Sequence, residues 1–205
     1  AALACIAIQA DQNDQHGGQS VPNFDYSMAP YVAKTFWHRY RDGIIRALSY
    51  ELGIDEKQFI TAFFAHMQEQ PKLDASSAAD DLISCLVHSI LCANSPENEV
   101  ELSKKTAKIV RHARQFATAE TNRATYQAME ALIHNLNTMH SRAGAQIPFS
   151  SLNYGTDASP EGRLVMKNLL LATEAGLGNG ETPIFPIQIF KVKEGVNYNP
   201  EDPNY

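Results

Sequence analysis

The chain has 205 residues, a formal net charge of −6 at pH 7 and 44% hydrophobic residues. This composition is typical of a globular protein and argues against a disordered chain. The negative charge gives no overall attraction to nucleic acid or to an anionic membrane, and no apolar run reaches the about 18 residues of a membrane span. The apolar start, Ala1 to Ala10, lacks the basic residues of a signal peptide. Three cysteines without a CxxC pair favour a reducing cytoplasm.

The first two thirds of the chain show helical periodicity. The pattern of apolar residues, caps and breakers predicts helices over residues 1–14, 26–52, 55–70, 74–93 and 98–139. In the first of them, Leu3 and Ile6, with Ala10 as a third candidate, are predicted to share one face, and Gln9 and Gln12 another. The last is long for a soluble helix, so we expect it to pack along a larger body.

The period of the sequence changes after this long helix. Ala145, Ile147 and Phe149 alternate with other residues, which predicts a strand that continues to Tyr154. Ser159 with the following proline predicts the start of a helix that ends near Gly176. A second strand is predicted over residues 184–192. A helix between two strands predicts a right-handed parallel crossover, so the fold class is α/β.

Two loops of this βαβ unit are candidates for an anion site. Gly176 to Gly180 follows a helix, whereas phosphate loops precede one, so a helix-ending turn is favoured. Thr156 to Ser159 leads into a helix N-terminus at the end of a strand, where α/β proteins place ligands. A plain helix cap explains that loop equally well.

The residues that often carry chemistry give no site by spacing alone. His134 and His140 are six residues apart and no HExxH motif accompanies them, so no metal site is predicted. Cys5, Cys85 and Cys92 lie in apolar helical patterns and are predicted to be buried structural thiols. No GxSxG motif is present, and no catalytic residue is predicted.

Long uninterrupted strings carry a resemblance to a known family. They are HGGQSVPNFDY (His16 to Tyr26), NTMHSRAGAQIPFSSLNYGTD (Asn137 to Asp157), NGETPIFPIQIFKVKEGVN (Asn179 to Asn197) and NPEDPNY (Asn199 to Tyr205). The chain resembles the anaerobic (class III) ribonucleoside-triphosphate reductases, which are glycyl-radical enzymes. The resemblance spans nearly the whole chain and is weakest between about Gly53 and Arg111.

The resemblance implies a ten-stranded α/β barrel of the glycyl-radical enzyme and ribonucleotide reductase type. This chain would be a helix-rich fragment of it, with residues 1–140 flanking the barrel and residues 141–205 forming a βαβ portion of its wall. The implied chemistry is the reduction of ribonucleoside triphosphates. A glycyl radical oxidises a cysteine to a thiyl radical, which abstracts the ribose 3′ hydrogen before water leaves C2′.

The resemblance also implies cofactors and partners. They are a glycyl radical, a structural zinc, dNTP and ATP effectors, a homodimer, formate or a thiol protein as reductant, and a radical-SAM activase. The family's thiyl cysteine, radical glycine and four zinc cysteines match no position of this chain. We therefore expect a part of a larger cytoplasmic enzyme that is inactive by itself.

Two groups of candidate binding residues follow from the resemblance. Substrate-binding candidates at strand ends are Asn137, His140, Ser150, Ser151 and Asn153. Candidates for an allosteric dNTP site near a dimer interface, within the helical region, are Gln9, Gln12, Lys34, His38 and Arg41. Two alternatives remain: another glycyl-radical enzyme related to pyruvate formate-lyase, and a nucleotide-binding module without catalysis.

Overall fold

The computed structural model describes residues 1–14, 17–68, 77–95, 97–140 and 146–205. The helices are α1 (Ala2–Asp14), α2 (Phe24–Arg46), α3 (Lys57–Gln68), α4 (Ser77–Asn94), α5 (Glu99–Thr138) and α6 (Pro160–Ala175). The strands are β1 (Gln19–Val21), β2 (Ser150–Tyr154) and β3 (Ile187–Phe190). A π-helical turn, Ala47–Glu51, directly follows α2. The predicted helix-rich α/β architecture is confirmed.

The differences from the predicted elements are local. Helix α2 ends at Arg46, before the predicted residue 52, because the backbone widens into the π-helical turn. Strand β2 begins at Ser150, two residues after Pro148, which has no N–H for the sheet. Strand β1 was not predicted because three residues are too few to show alternation. Three predicted boundaries lie outside the described residues. They are the start of the strand at residue 145, the end of a helix at residue 70 and the start of the next helix at residue 74.

The chain divides into two compact units. The first contains Ala1–Val32 and Asn122–Tyr205, and the second contains Ala33–Thr121. The domain boundary that was predicted after residue 140 lies inside the first unit. Both α2 and α5 therefore contribute residues to each unit.

The first unit is built on a three-stranded sheet. The strand order is β1-β2-β3 and both pairings are parallel. The parallel pairing of β2 with β3 across α6 confirms the predicted βαβ unit. One face of the sheet is covered by α6 and the C-terminal part of α5, where the core residues include Leu132, Leu136, Leu152, Val165 and Leu169.

Helix α1 belongs to this unit, and the apolar face predicted for it is not the face that is buried. Cys5, Ile8 and Gln12 are buried, whereas Leu3 and Ile6 are 76% and 56% exposed. Residues 2–8 are all apolar and occupy every side of the first turns, so periodicity does not distinguish one face from another there.

The second unit is a helical body with an aromatic core. Trp37, Tyr40 and Phe64 pack together, with ring centroids 6.0 to 6.2 Å apart. At Gly43 the helix α2 lies so close to α5 that an added Cβ would be 3.1 Å from Ala113. This close approach favours glycine at that position, since a side chain there would require the two helices to move slightly apart.

The three cysteines differ in exposure. Cys5 is buried as predicted, and burial raises the pKa of its thiol. Cys85 and Cys92 are exposed, so their predicted burial is wrong. Helix α4 directs Ile83, Val87 and its other core residues inward, which leaves both cysteines on its outer side. No helix among the described residues is long and apolar enough to cross a membrane.

Candidate functional site

The sheet of the first unit has one open face. Side chains alternate between the two faces along each strand, and residues paired in a parallel sheet point to the same side. The register therefore places Ser20, Ser151 and Ile187 in one row, with Asn153 beside Ile189 in the next. We call these five residues the open face.

The open face combines hydrogen-bonding and apolar groups. Ile187 and Ile189 are 57% and 44% exposed, and Ser20 is exposed as well. Ser151 and Asn153 are half-buried between them, and Oδ1 of Asn153 is a buried atom that has no hydrogen-bond partner among the described residues. Two hydroxyls, an amide and two aliphatic side chains suit a ligand with neutral polar groups and a flat apolar part.

The opposite face of the same strands is closed. The Tyr154 hydroxyl donates to Gln188 Oε1 at 2.7 Å, and Gln188 Nε2 donates to Thr173 Oγ1 on α6. Burial raises the pKa of Tyr154. Ser150 is buried on this side, and its hydroxyl has no partner among the described residues. Ser150 is thus separated from the open face although it neighbours Ser151 in the sequence.

The carboxyl edge of the sheet is organised around one buried carboxylate. Oδ2 of Asp25 accepts hydrogen bonds from the backbone N–H groups of Gly155, Thr156 and Asp157, at 2.9 to 3.0 Å. Its other oxygen accepts from the N–H of Tyr26 at 3.0 Å. The loop that was considered as an anion site therefore binds an anion of the chain itself. Asp25 also ties the start of α2 to the end of β2.

The loop after β3 is tied to the same edge. Asn197 is buried, and its amide donates to the carbonyl oxygens of Gly155 and Lys191 at 2.8 Å each. Lys191 Nζ in turn donates to Asn23 Oδ1 at 2.7 Å. The Tyr26 hydroxyl donates to the carbonyl of Thr156. The connections that follow all three strands are thereby fixed to one another.

The start of α6 uses the predicted cap. The Ser159 hydroxyl accepts from the N–H of Gly162 at 3.0 Å, with Pro160 in the first turn. A Cβ at residue 162 would overlap the side chain of Asp157, so glycine is required there. At the other end, Gly176 terminates α6 with a φ of 74°, which confirms the helix-ending turn.

The structure brings only part of the predicted substrate group together. Ser151 and Asn153 share the open face, and Ser150 points to the covered side. The side chain of Asn137 binds backbone groups of the chain. Its Oδ1 accepts from the N–H groups of Ile184 and Phe185, and its Nδ2 donates to the carbonyl of Ile133. His140 is exposed, and its backbone carbonyl accepts from Gln9 Nε2 at 2.7 Å.

The predicted effector group is distributed over both units. Gln9 and Gln12 lie on α1 in the first unit, where Gln12 is buried. Lys34, His38 and Arg41 lie on α2 in the second unit, at spacings of four and three that put them along one helical side. Arg41 forms a salt bridge with its neighbour Asp42 at 2.8 Å.

One group in the second unit was missed by the sequence analysis. The potential ligand atoms of His88, Cys92 and Glu99 all lie within 4.8 Å of one another. The H-x-x-x-C spacing on α4 is the signal that could have revealed it, since residues four apart share a helix face. This mixed group and the buried Cys5 do not fit the four-thiolate zinc site that the resemblance implies for the family.

The parallel sheet, with helices over one face, defines a helix-rich α/β protein. The chain matches the family model for anaerobic ribonucleoside-triphosphate reductase over residues 1–205. It belongs to that family. The chain is similar to the anaerobic ribonucleoside-triphosphate reductase of Escherichia coli K12, with 36% identity over 91 residues. It is also similar to the enzyme of that name from Enterobacteria phage T4, with 38% identity over 91 residues.

These alignments cover 44% of this chain and 13% of the Escherichia coli protein or 15% of the phage protein. The matched stretch thus spans a small part of the length of these curated relatives. The family match, in contrast, includes both units of the chain.

Proposed function

We propose that the complete protein containing this chain reduces ribonucleoside triphosphates to deoxyribonucleoside triphosphates. The observation that carries the proposal is membership of the reductase family over residues 1–205. The names of the similar proteins from Escherichia coli and phage T4 agree with it. The protein would act as an oxidoreductase.

Within that enzyme, the open face contributes part of the wall of the substrate cavity. A sheet with parallel strands, helices on the outer face and polar side chains on the other has the polarity of a barrel wall. Ser151 and Asn153 would make hydrogen bonds with the nucleotide, and Ile187 and Ile189 would pack against its apolar part. The proposal includes the ten-stranded barrel, of which these strands would be three.

The tied carboxyl edge supports this role physically. Binding sites need side chains held within a fraction of an ångström, and groups on strands with fixed connections meet this need better than mobile loops. Side-chain hydrogen bonds of Asp25, Asn197 and Lys191 hold together the three connections that follow the strands. The strand residues of the open face are therefore positioned before any ligand binds.

The radical chemistry would be supplied from other parts of the enzyme. Cys5 packs in the core of the first unit, and Cys85 and Cys92 lie on α4 of the second, so no thiol of this chain lies on the open face. A glycyl radical, a thiyl cysteine, a radical-SAM activase and a formate or thiol reductant belong to the proposal as family properties. The dNTP effector site at Gln9, Gln12, Lys34, His38 and Arg41, in a homodimer, remains a prediction.

The test is an anaerobic assay of the complete, activated protein with each ribonucleoside triphosphate. Asn153→Ala removes an open-face amide, and we expect kcat/KM to fall about 10- to 100-fold, as for the loss of hydrogen bonds worth about 1–3 kcal/mol. Ser150→Ala is the matched control, because this buried hydroxyl has no partner among the described residues, and activity should remain. A smaller loss is expected for Ser151→Ala.

The outcomes separate the proposal from its alternatives. Normal activity of Asn153→Ala would reject the open face as substrate wall. Nucleotide binding without any deoxyribonucleotide product would instead support a non-catalytic module. A radical enzyme that acts on a small carbonyl compound and ignores nucleotides would support the relationship to pyruvate formate-lyase.

A further inference from the structure

We propose that His88, Cys92 and Glu99 form a binding site for a divalent transition-metal ion, with Zn²⁺ as the best fit. The site lies in the second unit, where α4 ends and α5 begins. It is separate from the open face and does not depend on the proposed reductase activity.

The three side chains converge because of where their helices end. His88 and Cys92 are four residues apart on α4 and share its outer face. Glu99 is the first residue of α5. Nε2 of His88 is 3.5 Å from Cys92 Sγ and 3.0 Å from Glu99 Oε1.

These distances resemble the edges of a metal coordination tetrahedron. Zinc bonds of about 2.0–2.3 Å to nitrogen, oxygen and sulfur place adjacent ligand atoms about 3.3–3.7 Å apart. The observed separations of 3.5 and 3.0 Å are close to that geometry, and the sulfur and the carboxylate lie within 4.8 Å of each other. An ion between the three atoms would leave a fourth position for water.

The histidine has the partner that metal-binding imidazoles commonly need. Its Nδ1 is 3.3 Å from Oγ1 of Thr106, a buried residue of α5. With Nδ1–H donating to this oxygen, the lone pair of Nε2 is directed to the sulfur and the carboxylate. Thr106 therefore orients the ring toward the ion.

The set of donor atoms selects the class of metal. A thiolate, an imidazole and a carboxylate together match Zn²⁺ and related first-row ions, whereas Mg²⁺ and Ca²⁺ prefer sites built from oxygen alone. Cys92 and Glu99 are exposed, so an ion can enter from solvent. A bound ion would join the end of α4 to the start of α5.

The site is tested on the 205-residue chain with Co²⁺ as a spectroscopic probe and Zn²⁺ as the competitor. We expect one Co²⁺ per chain, a near-ultraviolet thiolate-to-cobalt charge-transfer band, and displacement by Zn²⁺. Cys92→Ser should abolish the band, and Glu99→Gln, at an exposed position, should weaken binding at least tenfold without affecting folding. Thr106→Val should weaken binding about 10- to 100-fold, as expected for loss of an orienting partner.

Cys85→Ser is the matched control, since Cys85 is an exposed thiol on the same helix but outside the group. It should bind Co²⁺ as the unchanged chain does. In the unchanged chain, Zn²⁺ should protect Cys92 but not Cys85 from alkylation. Absence of the cobalt band, or a band that persists in Cys92→Ser, would overturn the proposal, as would equal protection of both thiols.

Discussion

The two units of the chain are stabilised in different ways. In the first unit, side chains bind specific backbone groups: Asp25 accepts from the N–H groups of Gly155, Thr156 and Asp157, and Asn137 bridges α5 and the segment before β3. In the second unit, helices pack through an aromatic and aliphatic core. A bond to a backbone group requires one residue type in one position, whereas a packed core accepts several side chains of similar volume.

The second unit contains a polar network beside its aromatic core. Tyr40 donates to Oδ1 of Asp80 at 2.8 Å, and Arg114 donates to the other oxygen at 2.6 Å. Burial, followed by the hydrogen bond to Asp80, raises the pKa of Tyr40. The guanidinium of Arg114 also lies 5.7 Å from the ring centre of Phe36. Even here, the polar groups extend an aromatic cluster rather than bind the backbone of a loop.

The largest effect is expected at Asp25. Asp25→Ala leaves four backbone donors without their acceptor, and we expect the first unit to lose about 4–5 kcal/mol, since each buried unpaired group costs about 1–3 kcal/mol. Native-state hydrogen exchange should show lost protection at residues 155–157 and retained protection in α4. Asp25→Asn keeps an acceptor and should lose less. Uniform destabilisation of both units would contradict the difference between them.

The second unit should respond to volume. Phe64 is buried in the aromatic core, and Phe64→Ala should cost about 3–4 kcal/mol because it creates a cavity. Phe64→Leu retains most of the volume and should cost about 1–2 kcal/mol. Chemical denaturation of both variants gives the comparison. Equal losses for alanine and leucine would show that shape, rather than volume, governs this core.

A smaller, pH-dependent effect is expected at Tyr40. Its folded pKa is raised above the unfolded value of about 10, so its stabilising contribution is complete below pH 10 and decreases as pH rises beyond it. Tyr40→Phe should cost about 1 kcal/mol at pH 7 and reduce the alkaline loss of stability. Hydrogen exchange in the second unit between pH 7 and pH 10.5 measures the loss of stability at pH 7 and the further loss at alkaline pH.

Tyr154→Phe provides the matched change in the first unit, because burial raises the pKa of Tyr154 as well. It should alter the alkaline response of the first unit only. If either variant changed both units equally, the units would not unfold independently.

The smallest effect is expected in chemical labelling, where the three thiols should differ only in their rates of reaction. Cys85 and Cys92 are exposed, whereas Cys5 is buried with a raised pKa, which disfavours the reactive thiolate. In metal-free solution, alkylation followed by mass spectrometry should modify Cys85 and Cys92 well before Cys5. Faster labelling of Cys5 would show that α1 opens from the first unit more readily than its burial indicates.

The sequence predicted the elements better than it predicted contacts. Helices and the βαβ unit were recognised because periodicity, Ser159-Pro160 and Gly176 act locally. The role of Asp25 was not foreseen, since it joins residues about 130 positions apart. Sequence spacing also could not show that α4 directs Cys85 and Cys92 outward, because the choice of helix face depends on the neighbours that cover it.

For the candidate site, the sequence predicted the location but not the face on which each residue lies. The sequence directed attention to the end of β2, but only alternation in the observed register separates Ser151 and Asn153 from Ser150. Asn137 was placed in the substrate group as a strand-end residue on the basis of the resemblance, and its side chain binds backbone groups of Ile184 and Phe185. A polar residue in a sequence motif can therefore have a structural role, as Asn137 does, instead of binding a ligand.

The central claim is that the open face contacts the nucleotide. The most direct measurement is a crystal structure of the complete protein with a bound ribonucleoside triphosphate. The account predicts the nucleotide within hydrogen-bonding distance of Ser151 or Asn153, on the side of the sheet away from α6. A nucleotide bound elsewhere, with the open face covered by another part of the same protein, would contradict it.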